Sequence, residues 1–292
     1  MKVLLAAFLC GTISNAGAQT FNEWAQTVNW DGVSHWSKYI QPRAAFLGPN
    51  GLAVPFISNG SIDSSRSIAL TGQFHFSKGD KTQSIVLYGN YCFIKNVISI
   101  DVSFIPVEYY RVSDAIKKER HVYYTFYNDK KARGDVLINT NIQLFNKWRK
   151  KIQLALRLGY RLPSSSGYGA ARFIDGMGYN IDVSVGKPFH AISLKWIAMA
   201  GFYCWQIEKG DLRQDDAFLF GTGFQWYPKT WWFQTYIAGY LGYSKKSGDK
   251  PIVFRAEAHK RIRKASVLLR FQQGLHDFKY STVETGLRYF FK

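Results

Sequence analysis

His75 and Ser77 are separated by a single residue. In an extended strand, residues i and i+2 point to the same side, so the imidazole could act as a general base for the hydroxyl nucleophile. Asn90 offers a third polar group, which we expect to be offset along the neighbouring strand. The same spacing recurs at His35 and Ser37 outside any confidently predicted strand, so the pattern has low specificity. We favour no catalytic residue, and His75 and Ser77 stay weak candidates for hydrolysis.

Arginines and lysines form a second candidate set, because they alternate with apolar residues along several predicted strands and therefore share one face. The basic members of that face are Arg157, Arg161, Lys195, Arg255, Arg261, Arg270 and Arg288. The acidic members are Asp101, Asp182, Glu257 and Glu284. Guanidinium groups bind carboxylates and phosphates through paired hydrogen bonds, so the basic excess indicates a lining that favours anions. An arginine–glutamate network that only joins strands is the alternative interpretation, and the one we favour.

Residues 161–175 form the most distinctive predicted loop, rich in serine and glycine. Such a loop could fold inward as a constriction, or bind an anion through its backbone amides. The candidate residues are Arg161, Ser164, Ser165, Ser166, Arg172 and Asp175. A plain surface loop is the competing interpretation. Residues 47–56 are also stiff and partly apolar, and they suit a lid or a packed plug.

The chain alternates apolar and polar residues in many short runs, and this period of two predicts β-strands. In the last run, Val283, Leu287 and Phe291 lie on one face and Glu284 and Arg288 on the other. Twelve runs have the pattern, at residues 67–78, 84–93, 97–110, 135–145, 151–161, 179–186, 191–205, 218–227, 231–243, 252–261, 265–272 and 278–291. Weaker runs at residues 39–47 and 121–128 raise the count to fourteen. We favour fourteen, because the turns then alternate consistently between the two edges of the sheet, with residues 49–64 as a loop at the outer edge.

Residues 1–18 have the features of a cleaved signal peptide, with Lys2, an apolar run, and the small residues Ala16 and Ala18 before Gln19. Residues 19–38 are polar and aromatic without alternation, and we expect a lead-in or a short plug. Residues 39–292 then form a single domain. Because no run of about 18 apolar residues is present, no helix is predicted to span a membrane.

Taken together, the signal peptide, the alternating runs and the aromatic last strand resemble the outer-membrane β-barrel superfamily of Gram-negative bacteria. The resemblance implies an all-β fold, a transmembrane antiparallel up-and-down β-barrel of twelve to fourteen strands. One face of each strand would meet lipid and the other a polar lumen. Residues 19–38 would then be a periplasmic lead-in or a short plug. Aromatic residues make up 17% of the chain, which fits the aromatic girdles of such barrels.

The leading function is a channel or facilitated pore for small solutes, biased to anions by the lumen arginines. The net charge of +18 is poorly explained by nucleic acid in an exported barrel. Outer-membrane lipid, lipopolysaccharide and anionic solutes are the expected partners. We expect no cofactor and no metal, since no CxxC spacing is present, and we expect Cys92 and Cys204 to be unpaired. The oligomeric state stays open.

Two other functions are considered. A lipid hydrolase would use His75 and Ser77, but the outer-membrane lipid hydrolase families usually place asparagine after the serine, whereas Lys78 follows here. Their pair also faces lipid near the outer leaflet, while this pair is predicted to face inward near the periplasmic end. A closed barrel that acts as a scaffold or adhesin is the third possibility.

Overall fold

The structure is a computed structural model that describes residues 19–147, 152–209, 212–243 and 248–291; the predicted signal peptide lies outside them. The described residues form two α-helices, α1 (Phe21–Val28) and α2 (Asp114–Glu119), and thirteen strands, with short 3-10 helices at Trp36–Tyr39, Tyr124–Phe126 and His190–Ile192. The strands are β1 (Ser67–Ser77), β2 (Asp80–Ile94), β3 (Ile98–Val112), β4 (Lys131–Ala132), β5 (Val136–Lys147), β6 (Ile152–Leu162), β7 (Gly178–Phe189), β8 (Leu194–Lys209), β9 (Leu212–Trp226), β10 (Trp231–Gly242), β11 (Ile252–Ile262), β12 (Ala265–His276) and β13 (Ser281–Phe290).

Twelve of these strands form a closed antiparallel barrel, in which each strand pairs with its neighbours and β1 pairs with β13. The two-residue strand β4 lies outside this ring and extends the sheet beside the end of β3. The prediction of an all-β, up-and-down barrel is confirmed. The barrel has twelve strands, the lower end of the predicted range, rather than the favoured fourteen. Residues 39–47 and 121–128 are turns rather than strands. Ile40 and Leu47 pack in the apolar cluster inside the barrel, whereas Tyr123 and Phe126 pack against Trp36.

The wall has an apolar outer face and a polar inner face, as the alternation predicts. On β1, the outward Leu70 is 56% exposed, whereas its neighbour Thr71 is 7% exposed. Large apolar side chains are exposed on the outer face of every barrel strand except β11, whose exposed residue Ile262 stands at its end. Such a surface is stable in lipid and costly in water, so the barrel wall is suited to a membrane. Cys92 and Cys204 are buried, and neither is paired within the described part of the chain.

The two ends of the barrel differ in their connections. At one end, called the short-turn end, lie the start of β1, the end of β13 and turns of a few residues. The opposite end, called the long-loop end, carries residues 113–135, 163–177, 243 and 248–251. In bacterial outer-membrane barrels, the short turns face the periplasm and the long loops face outward. The fourteen-strand prediction placed an additional strand between β3 and β5. Because that strand is absent from the barrel, β1, β2 and β3 each run in the direction opposite to the one predicted.

Residues 40–66, called the inner segment, run through the lumen from the long-loop end to the short-turn end. Near the long-loop end, Asn50 Nδ2 donates to Glu108 Oε2 at 2.9 Å. Near the short-turn end, Asp63 forms an ion pair with Arg288. The expected outer loop at residues 49–64 is therefore wrong: this stretch lies inside the barrel, where wall side chains satisfy its backbone groups.

Residues 19–39 lie at the long-loop end. Helix α1 begins with a capping box in which Thr20 and Glu23 bond to each other's backbone amides. Its Trp24 is buried, with its ring 5.0 Å from that of Tyr123, and Trp36 stacks on Tyr123 at 5.1 Å. This aromatic cluster fixes the start of the inner segment to the loop between β3 and β5. The expected periplasmic lead-in instead packs at the end opposite to the short turns.

The depth of the lipid-facing wall can be tested within one strand. Leu269 and Leu275 of β12 are almost equally exposed, at 55% and 54%, but Leu269 lies mid-strand and Leu275 next to the strand end. We expect Leu269→Arg to lower the free energy of unfolding in lipid bilayers by about 2–4 kcal/mol, and Leu275→Arg by about 0–1 kcal/mol. Urea titration into liposomes measures both. Equal losses would contradict a membrane-embedded belt.

Candidate functional site

Three wall arginines bind the inner segment through its backbone carbonyls. Arg255 Nη2 donates to the oxygen of Val54 at 2.6 Å, and its Nη1 donates to that of Pro55 at 3.1 Å. Arg161 Nη1 donates to the oxygen of Gly51 at 2.5 Å, and Arg157 Nη1 to a third carbonyl at 2.9 Å. A carbonyl accepts a hydrogen bond without carrying a full charge. The excess of basic over acidic wall residues therefore has acceptors in the lumen.

Phe56 is the side chain of the inner segment that stands between charged walls. Its ring lies 4.4 Å from the Arg255 guanidinium and 4.1 Å from that of Arg270, both within cation–π range. Arg270 also bridges Glu284 at 2.6 Å and Glu257 at 3.1 Å. Phe56 nevertheless stays 42% exposed, so part of its ring faces open space in the lumen.

Residues 59–63, called the crossbar, span the lumen near the short-turn end. Ser61 Oγ donates to Gln153 Oε1 at 2.7 Å and accepts from Lys195 Nζ at 3.1 Å. Gly60 has a φ of +78°, and a Cβ there would collide with the backbone of the β6 and β7 strands. Asp63 completes the crossbar through its ion pair with Arg288. The crossbar therefore has polar attachments to both sides of the wall.

One predicted wall residue lies elsewhere. Arg261 is exposed at the short-turn end, where its guanidinium lies 4.3 Å from the Phe290 ring. It contacts no residue of the inner segment among the described contacts. The remaining six basic residues of the predicted wall all contact that segment, through its backbone, its polar side chains or the Phe56 ring.

Arg172 joins the loop between β6 and β7 to the barrel wall. Its Nη1 donates to Asp80 Oδ2 at 2.8 Å and its Nε to Glu108 Oε1 at 2.9 Å, and all three side chains are fully buried. Arg120 Nη1 donates to the same Asp80 oxygen at 2.7 Å. Burial alone would lower the pKa of Arg172, but the Glu108 and Asp80 carboxylates raise it above its usual value. Asp175, the expected neighbour, is exposed.

The serines of the same loop bind an anion, but it is a carboxylate of the chain itself. The backbone amides of Ser164 and Ser165 donate to Asp135 Oδ1 at 3.1 and 2.8 Å. Ser166 Oγ accepts from the Arg133 amide at 2.9 Å. Burial raises the pKa of Asp135, and the nearby Arg161 opposes this. The backbone amides that could cradle an anion are therefore occupied by Asp135, and these serines attach the loop to the start of β5.

His75 is buried and faces inward, near the long-loop end rather than the periplasmic end. Its Nδ1 is 2.8 Å from Thr282 Oγ1, and its Nε2 is 3.4 Å from Asn50 Nδ2. No hydrogen bond joins His75 to Ser77 among those of the described residues. The pair is thus not arranged as a nucleophile and its base. Asn90 instead donates to the backbone oxygens of residues 63 and 65.

A cavity of about 480 Å³ remains between the inner segment and the wall. Asp101, one of its wall residues, accepts from Asn139 and Asn141, each at 2.7 Å. The charged lining is balanced, with five arginines and five carboxylates: Arg157, Arg161, Arg255, Arg270, Arg288, Asp63, Asp101, Asp135, Glu257 and Glu284. A second cavity lies at the short-turn end, and the boundary between the two is formed by residues 59 and 61–63 of the crossbar together with Trp232, His259 and Arg288 of the wall, since all of these line both.

The other side of the inner segment is apolar. Leu47, Leu52 and Val54 are almost completely buried and belong to one cluster with inward residues of strands β8 to β11, such as Leu219 and Tyr240. Tyr240 also donates its hydroxyl to the oxygen of Leu52 at 2.9 Å. The lumen therefore has two halves: an apolar half that the segment fills and a polar half that contains the cavity.

Alternation in the sequence predicted which charged residues of the wall face the lumen. It did not predict that the inner segment lies in the lumen and binds them. The residues of that segment that matter, such as Asn50, Phe56 and Asp63, lie in a stretch without alternation. One signal was present, because inward arginines without matching carboxylates require other acceptors. A second signal was the set of inward apolar residues on β8 to β11. A water-filled lumen would not favour them, so they indicate that something packs against them.

No known protein family matches the chain, and no curated protein matches it significantly. The COG4313 outer membrane channel from Pseudomonas putida F1 has a TM-score of 0.58 at 8% identity, over 82% of this chain and 100% of that chain. KdgM porin has a TM-score of 0.48 at 9% identity, over 77% and 99% of the two chains. The translocator domain of the autotransporter NalP from Neisseria meningitidis has a TM-score of 0.49 at 9% identity, over 79% and 90%.

At these identities the similarity concerns the fold alone. No helix among the described residues is long and apolar enough to cross a membrane. The closed ring of twelve antiparallel strands with an apolar outer face and a polar inner face is the fold of outer-membrane β-barrels.

Proposed function

We propose that the protein is an outer-membrane channel for small solutes whose passage lies in the polar half of its lumen and is closed by the crossbar, residues 59–63. The observation that carries the proposal is the pair of cavities on the polar half, between which residues 59 and 61–63 of the crossbar lie against the wall residues Trp232, His259 and Arg288. Export would follow removal of residues 1–18. The inner segment stays in place on the apolar half, because exposing its buried leucines and valine would cost about 1.5–3 kcal/mol for each side chain.

The crossbar is suited to move because polar contacts hold it. Its attachments are the Asp63–Arg288 ion pair, the hydrogen bonds of Ser61 and Gly60, the Ile62 amide bond to Gln143, and the bond from Asn90 to the Asp63 carbonyl. A neutral hydrogen bond contributes about 0.5–1.5 kcal/mol and one to a charged group about 1.5–3 kcal/mol, and water or a polar solute can replace them. Residues 40–58, in contrast, include the buried apolar cluster on the other half. A local displacement of the crossbar would join the two cavities without unfolding the rest of the segment.

The preferred solutes are small anions. Arg161 and Arg255 bind neutral oxygens and form no ion pair among the described residues. A guanidinium binds a carboxylate or phosphate more strongly than a neutral carbonyl, so a passing anion would compete for these groups. Arginines and carboxylates are equal in number in the cavity lining of the closed state. We therefore expect the preference for anions to be moderate and to depend on individual arginines rather than on the net charge of the lining.

Weakening the crossbar should open the channel. We expect Asp63→Asn together with Ser61→Ala to raise the open probability of single channels in planar bilayers several-fold, because both changes remove contacts that hold residues 59–63. Asp277→Asn, at the long-loop end, is the matched control and should leave the open probability unchanged. Unaltered silence in the crossbar variant would contradict gating by residues 59–63 and favour a permanently closed barrel that acts as a scaffold.

The same position offers a test in the opposite direction. Cysteines at Ser61→Cys and Gln153→Cys, joined by a short thiol-reactive linker, should abolish openings because they fasten the crossbar to β6. Either substitution alone, treated with the same linker, is the control. Continued openings after complete cross-linking would mean that solutes take another path.

Anion preference can be measured from the reversal potential in a tenfold salt gradient. Arg157→Gln removes a cavity guanidinium, and Asn180 Nδ2 still donates to Asp182 at 2.8 Å. We expect the reversal potential to shift toward cation selectivity. Lys260→Gln, an exposed lysine at the short-turn end outside the cavity lining, is the control. An unchanged reversal potential in Arg157→Gln would contradict selection by the lumen arginines.

A further inference from the structure

Four cations form an outer basic patch on the lipid-facing side of the long-loop end: Lys78, Lys81, Arg111 and Lys131. Lys81 and Arg111 are directly opposite each other in the β2–β3 pairing, and both are exposed. Like charges at directly opposite positions of a sheet destabilise the pairing. Lys131 follows on β4, opposite Tyr109 of β3. The patch thus extends across the β1–β2 turn and three adjoining strands without an intervening acid.

The carboxylates on these strands cannot neutralise the patch. Asp80 and Glu108 alternate with the cations along β2 and β3, so they point inward, where Arg172 binds both. Asp114 forms an ion pair with Lys117. The exposed Asp129, two residues before Lys131, forms no ion pair among the described residues. The positive charge of the patch is therefore uncompensated by the protein.

Three exposed cations of the short-turn end differ in this respect, whereas Lys95, Lys229, Arg263 and Lys264 in the turns of that end have no ring or carboxylate partner among the described residues. Lys260 Nζ lies 4.9 Å from the Trp231 ring, Arg66 lies 4.7 Å from the Tyr91 ring, and Lys187 lies 5.6 Å from the Phe189 ring. These aromatic faces stabilise the charges. Lys81, Arg111 and Lys131 have neither a ring nor a carboxylate partner in the described part of the chain, so the patch has unused capacity for an anion.

The position of the patch selects a lipid as the source of that anion. Phe76 of β1 is paired with Lys81 and is 52% exposed, and the exposed Phe74 follows one step further toward the membrane centre. A ligand that contacts both surfaces must have acyl chains beside phosphate groups. Because the long loops face outward, that lipid belongs to the outer leaflet. We propose that Lys81, Arg111 and Lys131 bind the phosphate groups of a phosphorylated glycolipid of the outer leaflet.

The test uses the chain from Gln19, refolded in neutral detergent, with purified bisphosphorylated lipid A as the probe and native mass spectrometry as the measurement. We expect one tightly bound lipid per barrel. Lys81→Gln with Arg111→Gln should weaken binding by about tenfold or more, since each surface cation contributes about 1 kcal/mol toward an anionic lipid. Lys187→Gln with Lys260→Gln is the matched control and should bind as the unchanged protein does.

Three further arms identify the ligand. Dephosphorylated lipid A, phosphatidylglycerol and inorganic phosphate should each bind more weakly than bisphosphorylated lipid A. The charge-retaining variant Arg111→Lys should keep most of the affinity, and unchanged heat-modifiable gel mobility shows that each variant is folded. Equal binding by the double variant, equal weakening in the control, or equal affinity for any of the three other probes would overturn the proposal. None of these outcomes depends on whether the barrel conducts.

Discussion

The structure depends on one constraint: a chain segment without regular secondary structure crosses the lumen, and its backbone groups need hydrogen-bonding partners there. A buried carbonyl without a partner would cost about 1–3 kcal/mol. Wall side chains supply the partners, with Arg255 binding two successive carbonyls and Gln143 Nε2 donating to the oxygen of Gly60 at 2.8 Å. The lumen lining and the inner segment are thus complementary, and neither would be satisfied without the other.

This complementarity is uneven around the barrel, and the proposed gating depends on the difference. On strands β8 to β11, the inward apolar residues bury the leucines and isoleucines of the inner segment, which makes that contact stable. On the opposite side, the segment leaves a polar cavity instead of a packed contact. A segment fixed on one side and polar on the other can close a passage by moving only a few residues.

The long-loop end is held by a different interaction, a fully buried set of charges. Arg172 and Arg120 share Asp80, and the Tyr280 hydroxyl donates to the same carboxylate at 2.7 Å. Removing one partner from such a group leaves an uncompensated buried charge, which costs about 3–5 kcal/mol. Three separate connections between strands therefore meet at Asp80, and they hold the loops over the barrel. The outward side of the same strands bears the basic patch, since the carboxylates are all used inside.

Much of the wall was determined by local sequence alone. Strand residues alternate between two faces, so the period of two assigned Leu287 to lipid and Glu284 to the lumen without knowledge of any neighbour. The same rule placed Arg157 and Arg255 inside. It failed for the strand count, because residues 39–47 and 121–128 alternate weakly and are held by contacts between distant parts of the chain: the first by the buried apolar cluster, the second by aromatic contacts with Trp36.

Only the tertiary structure decided what the inward residues do. A segment without periodicity, such as residues 40–66, carries no local sign of whether it lies outside the barrel or within it. Its place is set by closure of the ring, which brings Val54 and Arg255 together across about 200 positions of sequence. For the same reason, Arg172 could not be matched to Asp80 from the sequence. The sequence by itself therefore determined the wall and its two faces, and the closed barrel decided which groups meet inside it.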